Sequence, residues 1–129
     1  MIVGLGTDIV SVERIATVLE KNKAHFIDRI CTENEKKYVS ECADIKVKLA
    51  KIWAVKEAAV KALGTGFVQG ISFKDIELRH DILGKPDIAF SGKALEFLKK
   101  KCDDKEANVL VSLSDDKPFA QAVVVIEKI

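Results

Sequence analysis

The feature that most constrains the fold is a long apolar segment in the middle of the chain, which reads as one buried helix. Apolar residues dominate positions 47–63, and the remaining residues of this stretch are charged. A helix that is apolar around most of its circumference is usually buried inside its domain. We expect it to run from about Ile45 to Leu63, because Gly64 suits the position just past a helix end. We therefore expect this helix to be buried inside its domain.

Two charged residues, Glu57 and Lys61, lie one turn apart in the middle of this helix. At the helical period they share one stripe with Ala50, Trp53 and Ala54, so they fall on a face that would otherwise be packed. Both need partners, because removing an unpaired charge from water is costly. They either pair with each other, as Glu before Lys at i, i+4 favours, or Glu57 binds a divalent cation and Lys61 a phosphate. The helix alone leaves both interpretations open.

The segments around this helix offer further ligand groups. The loop that follows it, Gly64, Thr65 and Gly66, is expected to present free backbone amides and to let a ligand approach closely. A Mg²⁺ site needs one or two carboxylates beside water and phosphate oxygens, and Asp8 is the best candidate for the second one. Asp8 follows residues 2–6, which read as a short buried strand containing glycines. The competing interpretation makes Asp8 a turn or cap residue.

Helix signals dominate the first half of the chain and strand signals the second half. Ser11 is predicted to cap a first helix, and a short second helix is expected over residues 26–30. Thr32 and Glu35 match a capping box, which starts a helix reaching about residue 42. Strands are predicted over residues 73–79, 87–91, 109–114 and 119–127, with a helix over residues 94–101 between the second and third. This order predicts an α+β fold in which mainly N-terminal helices pack on an antiparallel sheet.

Composition limits the kind of protein. The 129 residues suffice for one domain, residues 1–129, with a real core. A net charge of +1 gives no overall field to attract nucleic acid or a membrane. The two histidines lie near no other plausible ligand, so neither a zinc site nor a Ser-His-Asp triad is expected. Three cysteines give no disulfide framework and the N-terminus shows no targeting signal, so we expect a cytoplasmic protein.

Three motifs occur together along the chain: GLGTDIVSVERI, then FIDRICTENEKKY, then WAVKEAAVKALGTG in the long helix. In this order and spacing the sequence closely resembles the bacterial holo-acyl-carrier-protein synthases, the small 4′-phosphopantetheinyl transferases. The similarity continues through SFKDIELRHDILGKPDIAFSGKA and VSLSDDKPFAQAVVVIE, over essentially the whole chain. The resemblance implies that family's fold and its reaction in fatty acid biosynthesis. The 4′-phosphopantetheine arm of coenzyme A moves to a serine of apo acyl carrier protein, and adenosine 3′,5′-bisphosphate leaves.

By this resemblance three residues carry the reaction. Asp8 and Glu57 would bind Mg²⁺ beside the pyrophosphate of coenzyme A, and Lys61 would contact the phosphate at the reacting end. Such a transfer mostly needs positioning and charge neutralisation, which a cation and a lysine supply without histidine. The base that takes the serine proton is either Glu57 or a metal-bound water near Asp8. The water is preferred, because a carboxylate that donates to Mg²⁺ is a poor base.

The resemblance also implies binding residues. The coenzyme pocket would be lined by Lys61 and by the loop after it, namely Gly64, Thr65 and Gly66. Ser112 is either a polar contact of the coenzyme or simply the outward residue of a strand. Acyl carrier proteins are acidic, so their docking surface should be basic, and Arg14 and Lys21 on the first helix are the candidates. Acidic residues interleave with them, however, which is equally typical of a solvated helix face.

Two positions depart from the family pattern without altering the candidate metal and phosphate residues. Leu110 stands where many relatives carry a histidine that helps to position the coenzyme, and Ile52 where relatives often have arginine. Small members of the family assemble as trimers with coenzyme A between neighbouring subunits, and we expect the same here. Two alternatives remain. One is a Mg²⁺-dependent hydrolase of a nucleotide or coenzyme pyrophosphate, and the other is a non-enzymatic module that binds acidic partners.

Overall fold

The chain folds into five strands and four α-helices in the computed structural model, which describes residues 1–68 and 70–129. A short 3-10 helix over Phe73–Asp75 precedes the second strand. Three helices lie in the first half of the chain and most strands in the second half, so the predicted α+β class is confirmed. The elements are β1 (Ile2–Ser11), α1 (Val12–Ile30), α2 (Glu33–Ser40), α3 (Ile45–Leu63), β2 (Ile76–His80), β3 (Pro86–Phe90), α4 (Gly92–Lys101), β4 (Ala107–Asp116) and β5 (Phe119–Lys128).

The strands form two antiparallel sheets. The larger has the order β1-β5-β4, with Asp8 opposite Ala122, and the smaller is the β2-β3 hairpin. Successive side chains of a strand point to opposite faces of its sheet. Gly6 therefore lies with Asp8 on the face of β1 that packs on α3, which we call the inner face. Leu5 and Ile9 lie on the exposed outer face, with 67% and 62% of their surface accessible.

The long helix α3 lies at the centre of the fold and is buried, as its apolar pattern predicted. Its bounds match the prediction, and most of its residues are buried against the two sheets and α1. Asp44 caps its start by accepting from the amides of Lys46 and Val47, and Gly64 ends it in the left-handed conformation, with φ 82°. The chain therefore surrounds α3 on several sides.

Strand β1 runs to Ser11, well beyond the predicted end at Gly6. The paired strand β5 continues opposite it through Val10 and Ser11, and this long-range pairing sets where β1 ends. The prediction that Asp8 follows the strand is therefore wrong. Asp8 lies within β1, so its carboxylate is held by a paired backbone rather than by a turn.

The first helical region differs from its prediction in one detail. α1 contains a kink at Asn22, whose φ of −162° and ψ of 83° are not helical. Asn22 Oδ1 accepts from the amide of His25 at 3.1 Å, which is the hydrogen bond of a helix N-cap. The second helical stretch therefore starts just after Asn22, not at residue 26 as predicted. The Thr32–Glu35 capping box is confirmed, with both reciprocal hydrogen bonds present.

None of the helices within residues 1–68 and 70–129 combines the length and the apolar character needed to cross a membrane. The three cysteines are free thiols, with Cys31 and Cys102 buried and Cys42 half-buried.

Candidate active site

The candidate site forms where β1 and α3 touch. A Cβ atom placed on Gly6 would lie 1.9 Å from the carbonyl oxygen of Ala58, and one placed on Gly4 would lie 2.3 Å from that of Ala62. Real side chains do not approach backbone so closely, so glycine at these positions lets the strand lie directly on the helix. Asp8, on the same inner face, is thereby brought against the helix turn that carries the predicted site residues.

Lys61 reaches from α3 to β1. Its ammonium donates to the carbonyl oxygen of Thr7 at 2.9 Å and to Asp8 Oδ1 at 3.2 Å. Among the described residues Lys61 makes its ion pair with Asp8 and not with Glu57, so mutual pairing of the two helix charges is not what the fold adopts. The Lys61 side chain is 51% exposed, whereas that of Asp8 is 15% exposed. A lysine that is anchored at its tip and still accessible to solvent can meet an incoming anion.

Glu57 is half-buried beside this pair. Burial raises the pKa of the Glu57 carboxyl, and the negative charge of Asp8 raises it further, whereas Lys61 and Arg14 act in the opposite direction. The two carboxylates are thus close enough to repel each other. A cation bound between them would relieve that repulsion.

The donor set fits a hard divalent cation. Among residues 1–68 and 70–129 no group of three or more His, Cys, Asp or Glu side chains could hold a metal ion together. Asp8 and Glu57 supply two carboxylates, and Mg²⁺ commonly takes one or two of these with water and phosphate oxygens as its other ligands. The two carboxylates leave the other coordination positions of the cation to water and substrate oxygens. A site of this kind suits a ligand that contains phosphate.

A surface groove of about 590 Å³ opens at this point, lined by Thr7, Asp8, Ile9, Lys61 and Gln121. Sequence reasoning did not single out Gln121. It stands opposite Ile9 in the β1-β5 ladder and is exposed. No local signal marks it, because its place in the groove depends on strand pairing across the whole chain.

The loop after α3 behaves differently from its prediction. The amide of Gly64 donates to the carbonyl of Lys61, and those of Thr65 and Gly66 both donate to the carbonyl of Val60. The expectation of free amides in this loop is therefore wrong, because they satisfy the carbonyls that the end of α3 leaves without helical partners. A Cβ atom placed on Gly66 would meet nothing within 4 Å, so a ligand can still approach the loop from that side.

The other predicted binding residues lie on two separate surfaces. Arg14 and Lys21 are exposed on α1, and Arg14 is near enough to the site to influence the pKa of Glu57. Ser112 and Leu110 are exposed on β4 and point to the outer face of the large sheet. Within one chain Ser112 therefore faces away from the inner face that carries Asp8.

Comparison with known proteins identifies the family. The model of the 4′-phosphopantetheinyl transferase superfamily matches residues 4–123. The chain therefore belongs to the 4′-phosphopantetheinyl transferase superfamily, in agreement with the motifs in its sequence.

Individual relatives specify the kind of transferase. The holo-[acyl-carrier-protein] synthase of Zymomonas mobilis is 45% identical over 130 residues, covering 98% of this chain and 97% of the relative. The crystal structure of the Neisseria meningitidis holo-[acyl-carrier-protein] synthase has a TM-score of 0.87 and 39% identity, covering 99% of this chain and 100% of that one. The structure of the Bacillus anthracis synthase in complex with CoA (3′,5′-ADP) has a TM-score of 0.82 and 38% identity, covering 100% of this chain and 99% of that one. The enzyme class is thus that of the holo-[acyl-carrier-protein] synthases.

Proposed function

We propose that this enzyme transfers 4′-phosphopantetheine from coenzyme A to a serine of apo acyl carrier protein in a Mg²⁺-dependent reaction that releases adenosine 3′,5′-bisphosphate. The observation that carries the proposal is the meeting of Asp8 from β1 with Lys61 from α3 at one surface groove, with Glu57 near enough for the charge of Asp8 to raise the pKa of its carboxyl. The bound CoA (3′,5′-ADP) of the Bacillus anthracis synthase supports coenzyme A as the donor.

In this proposal each residue of the site has a distinct task. Asp8 and Glu57 would hold Mg²⁺, which would supply charge neutralisation for the phosphate oxygens of coenzyme A. Lys61, anchored on Thr7 and Asp8, turns its exposed ammonium to the phosphate that carries the pantetheine arm. The serine oxygen of the carrier forms a new bond to the phosphorus of this phosphate. The bond between the same phosphorus and the oxygen of the leaving adenosine 3′,5′-bisphosphate breaks. The serine proton would pass to a water near Asp8 that the bound cation has acidified to hydroxide, since a carboxylate that binds a cation is a poor base.

The site includes a second copy of the chain in this proposal. The outer face of the large sheet exposes apolar side chains in a row across its three strands, with Leu5 and Leu110 on either side of Val125. Exposed contiguous apolar surface of this kind is typical of an interface between subunits. We propose a homotrimer that covers this face and brings Ser112 of one subunit, together with the loop of Gly64, Thr65 and Gly66, toward the coenzyme.

The carrier protein is proposed to dock on α1. Arg14 lies beside the site and Lys21 follows two turns later on an exposed face, so an acidic partner can contact both while its serine enters the groove. We further propose that residues 1–129 act as one transferase domain in the cytoplasm, and that the product supports fatty acid biosynthesis.

Mass spectrometry of apo acyl carrier protein tests the proposal. After incubation with the enzyme, coenzyme A and Mg²⁺, the carrier should gain the mass of phosphopantetheine, and Asp8→Asn should abolish this gain. Asp103→Asn is the matched control, because Asp103 also pairs with a lysine, Lys128 at 2.8 Å, and asparagine tolerates its left-handed backbone. The control should keep full transfer.

Two outcomes would favour the alternatives. Release of adenosine 3′,5′-bisphosphate from coenzyme A at an undiminished rate without any carrier would indicate a pyrophosphate hydrolase. Absence of transfer, of hydrolysis and of any Mg²⁺ effect would indicate a binding module. In that case Glu57→Gln would lower stability, and neither the wild type nor the variant would respond to Mg²⁺.

A further inference from the structure

A buried ion pair lies next to the candidate site in the sequence of α3. Lys56, the neighbour of Glu57, is fully buried. Its ammonium donates to the carbonyl oxygens of Ile30 and Phe73 and to Glu35 Oε1, which lies at 2.7 Å. A lysine ammonium has three N–H donors, so each donor of Lys56 is used inside the protein.

The acidic partner is equally well satisfied. Glu35 is 2% exposed. Its Oε1 also accepts from the amide of Thr32 at 2.9 Å, and its Oε2 accepts from the amide of Leu78 at 2.8 Å. The pair thereby joins α3 to the end of α1, the start of α2, the 3-10 helix and β2. Glu35, which the sequence pattern assigned to a local helix cap, thus forms with Lys56 a pair that connects five segments of the fold.

The ion pair and strand β1 hold α3 from opposite sides. At about 100° per residue, Ala58 and Ala62 lie about 200° and 240° around the helix axis from Lys56. These alanines form the contact with the glycines of β1. Glu57 lies about 100° from Lys56, between the two contacts.

The two contacts restrain different movements of the helix. Glycine against alanine sets how near β1 lies to α3, but such small groups interlock little and therefore restrain rotation of the helix weakly. Three directed hydrogen bonds from the Lys56 ammonium restrain rotation and sliding strongly, because each acceptor belongs to a different segment.

Stability alone does not account for a charged pair at this place. Replacing a buried ion pair by apolar residues of similar volume often leaves a protein equally stable or more stable. We propose that the Lys56–Glu35 ion pair is a positioning device, which fixes the rotation of α3 so that Glu57 meets Asp8 at the spacing that a divalent cation requires. This inference rests on the proposed function.

Small rotations matter at such a site. A side-chain atom about 5 Å from the helix axis moves by about 2 Å when the helix turns by about 20°. Mg²⁺ demands near-ideal octahedral geometry with ligand distances of about 2 Å. A loosened α3 would therefore cost cation affinity before it cost the fold.

The test separates position from stability with three variants. Glu35→Gln removes the charge but keeps an amide oxygen for Lys56, and Lys56→Met/Glu35→Gln removes the whole pair. Lys93→Met is the matched control, because Lys93 pairs with Glu96 on α4 at 3.7 Å, outside the candidate site. For each variant we measure the urea midpoint of the metal-free protein and the affinity for Mn²⁺, by electron paramagnetic resonance with saturating coenzyme A. The activation constant for Mg²⁺ and the KM for coenzyme A complete the set.

We expect the double variant to have a urea midpoint near that of the wild type. Its Mn²⁺ affinity should be lower by about 10- to 100-fold, which is typical when groups that orient metal ligands are lost. Because metal binding is weaker, the Mg²⁺ concentration needed for half-maximal activation should rise, while the KM for coenzyme A changes less. Wild-type Mn²⁺ affinity in the double variant would overturn the inference. If the double variant does not fold, the Mn²⁺ affinity of Glu35→Gln is decisive, and wild-type affinity in that variant would overturn the inference. A wild-type protein that binds no Mn²⁺ would instead refute the proposed function itself.

Discussion

Replacing Gly6 by alanine perturbs the contact on which the candidate site depends. The added methyl carbon would lie 1.9 Å from the carbonyl oxygen of Ala58 and 2.7 Å from the amide nitrogen of Ala62. Both are backbone atoms of α3, so no side chain can turn away to make room. An ordinary contact between a carbon and a carbonyl oxygen is about 3.3 Å, and β1 and α3 must therefore separate by about 1.4 Å.

This separation affects both stability and activity. Overfilling a well-packed interior costs about 1–3 kcal/mol, and we expect the upper end because the obstacle is backbone. Asp8 lies two residues from Gly6 on the same face of β1, so it moves away from Glu57 and Lys61 by a similar distance. A displacement of about 1 Å at a reacting centre can lower activity by about 100-fold.

Urea unfolding and the transfer assay on apo acyl carrier protein measure the two effects. Gly84→Ala is the control, because a Cβ there meets nothing within 4 Å and the cost is that of a left-handed backbone, about 1 kcal/mol. We expect this control to lose some stability and no activity. Should Gly6→Ala retain wild-type stability and transfer, the close approach of β1 and α3 would not be what assembles the site.

Three further predictions concern the surroundings of the site. Thr32→Ala should lower the free energy of unfolding by about 1 kcal/mol in urea titrations, through loss of the capping box. Burial lowers the pKa of Lys48 to about 8, so the folded state binds fewer protons than the unfolded state between about pH 8 and the ordinary value of 10.5. The stability of the wild type relative to Lys48→Met should therefore rise with pH across this window, and a flat difference in unfolding free energy would contradict it. In thiol titrations of the native protein Cys42 should react first, because Cys31 and Cys102 are buried and burial raises the pKa of Cys31 to about 11; equal rates for all three would refute this.

Local signals in the sequence were sufficient for much of the fold. The bounds of α3 followed from its apolar pattern and from Gly64, and the start of α2 from Thr32 and Glu35. These features depend on residues within one or two helical turns of each other. The three charged groups of the candidate site came from the same kind of signal, helped by the resemblance in the motifs around Asp8 and Glu57.

Features that depend on distant partners could not be found this way. The end of β1 is set by its pairing with β5, more than 100 positions away in the chain, and no residue near Gly6 signals it. The pairing of Lys61 with Asp8 instead of Glu57 joins residues 53 positions apart. The role of Lys56 is equally hidden, because its acidic partner Glu35 also satisfies a purely local pattern.

A crystal grown with coenzyme A and Mn²⁺ would test most directly whether Asp8 and Glu57 share a cation. Anomalous scattering locates manganese independently of any assumption about the site. We predict one peak on the order of 2 Å from a carboxylate oxygen of each residue, with the remaining ligands from water and the pyrophosphate of the coenzyme. Manganese that is bound elsewhere, or coenzyme A bound with no metal at these two carboxylates, would contradict the account.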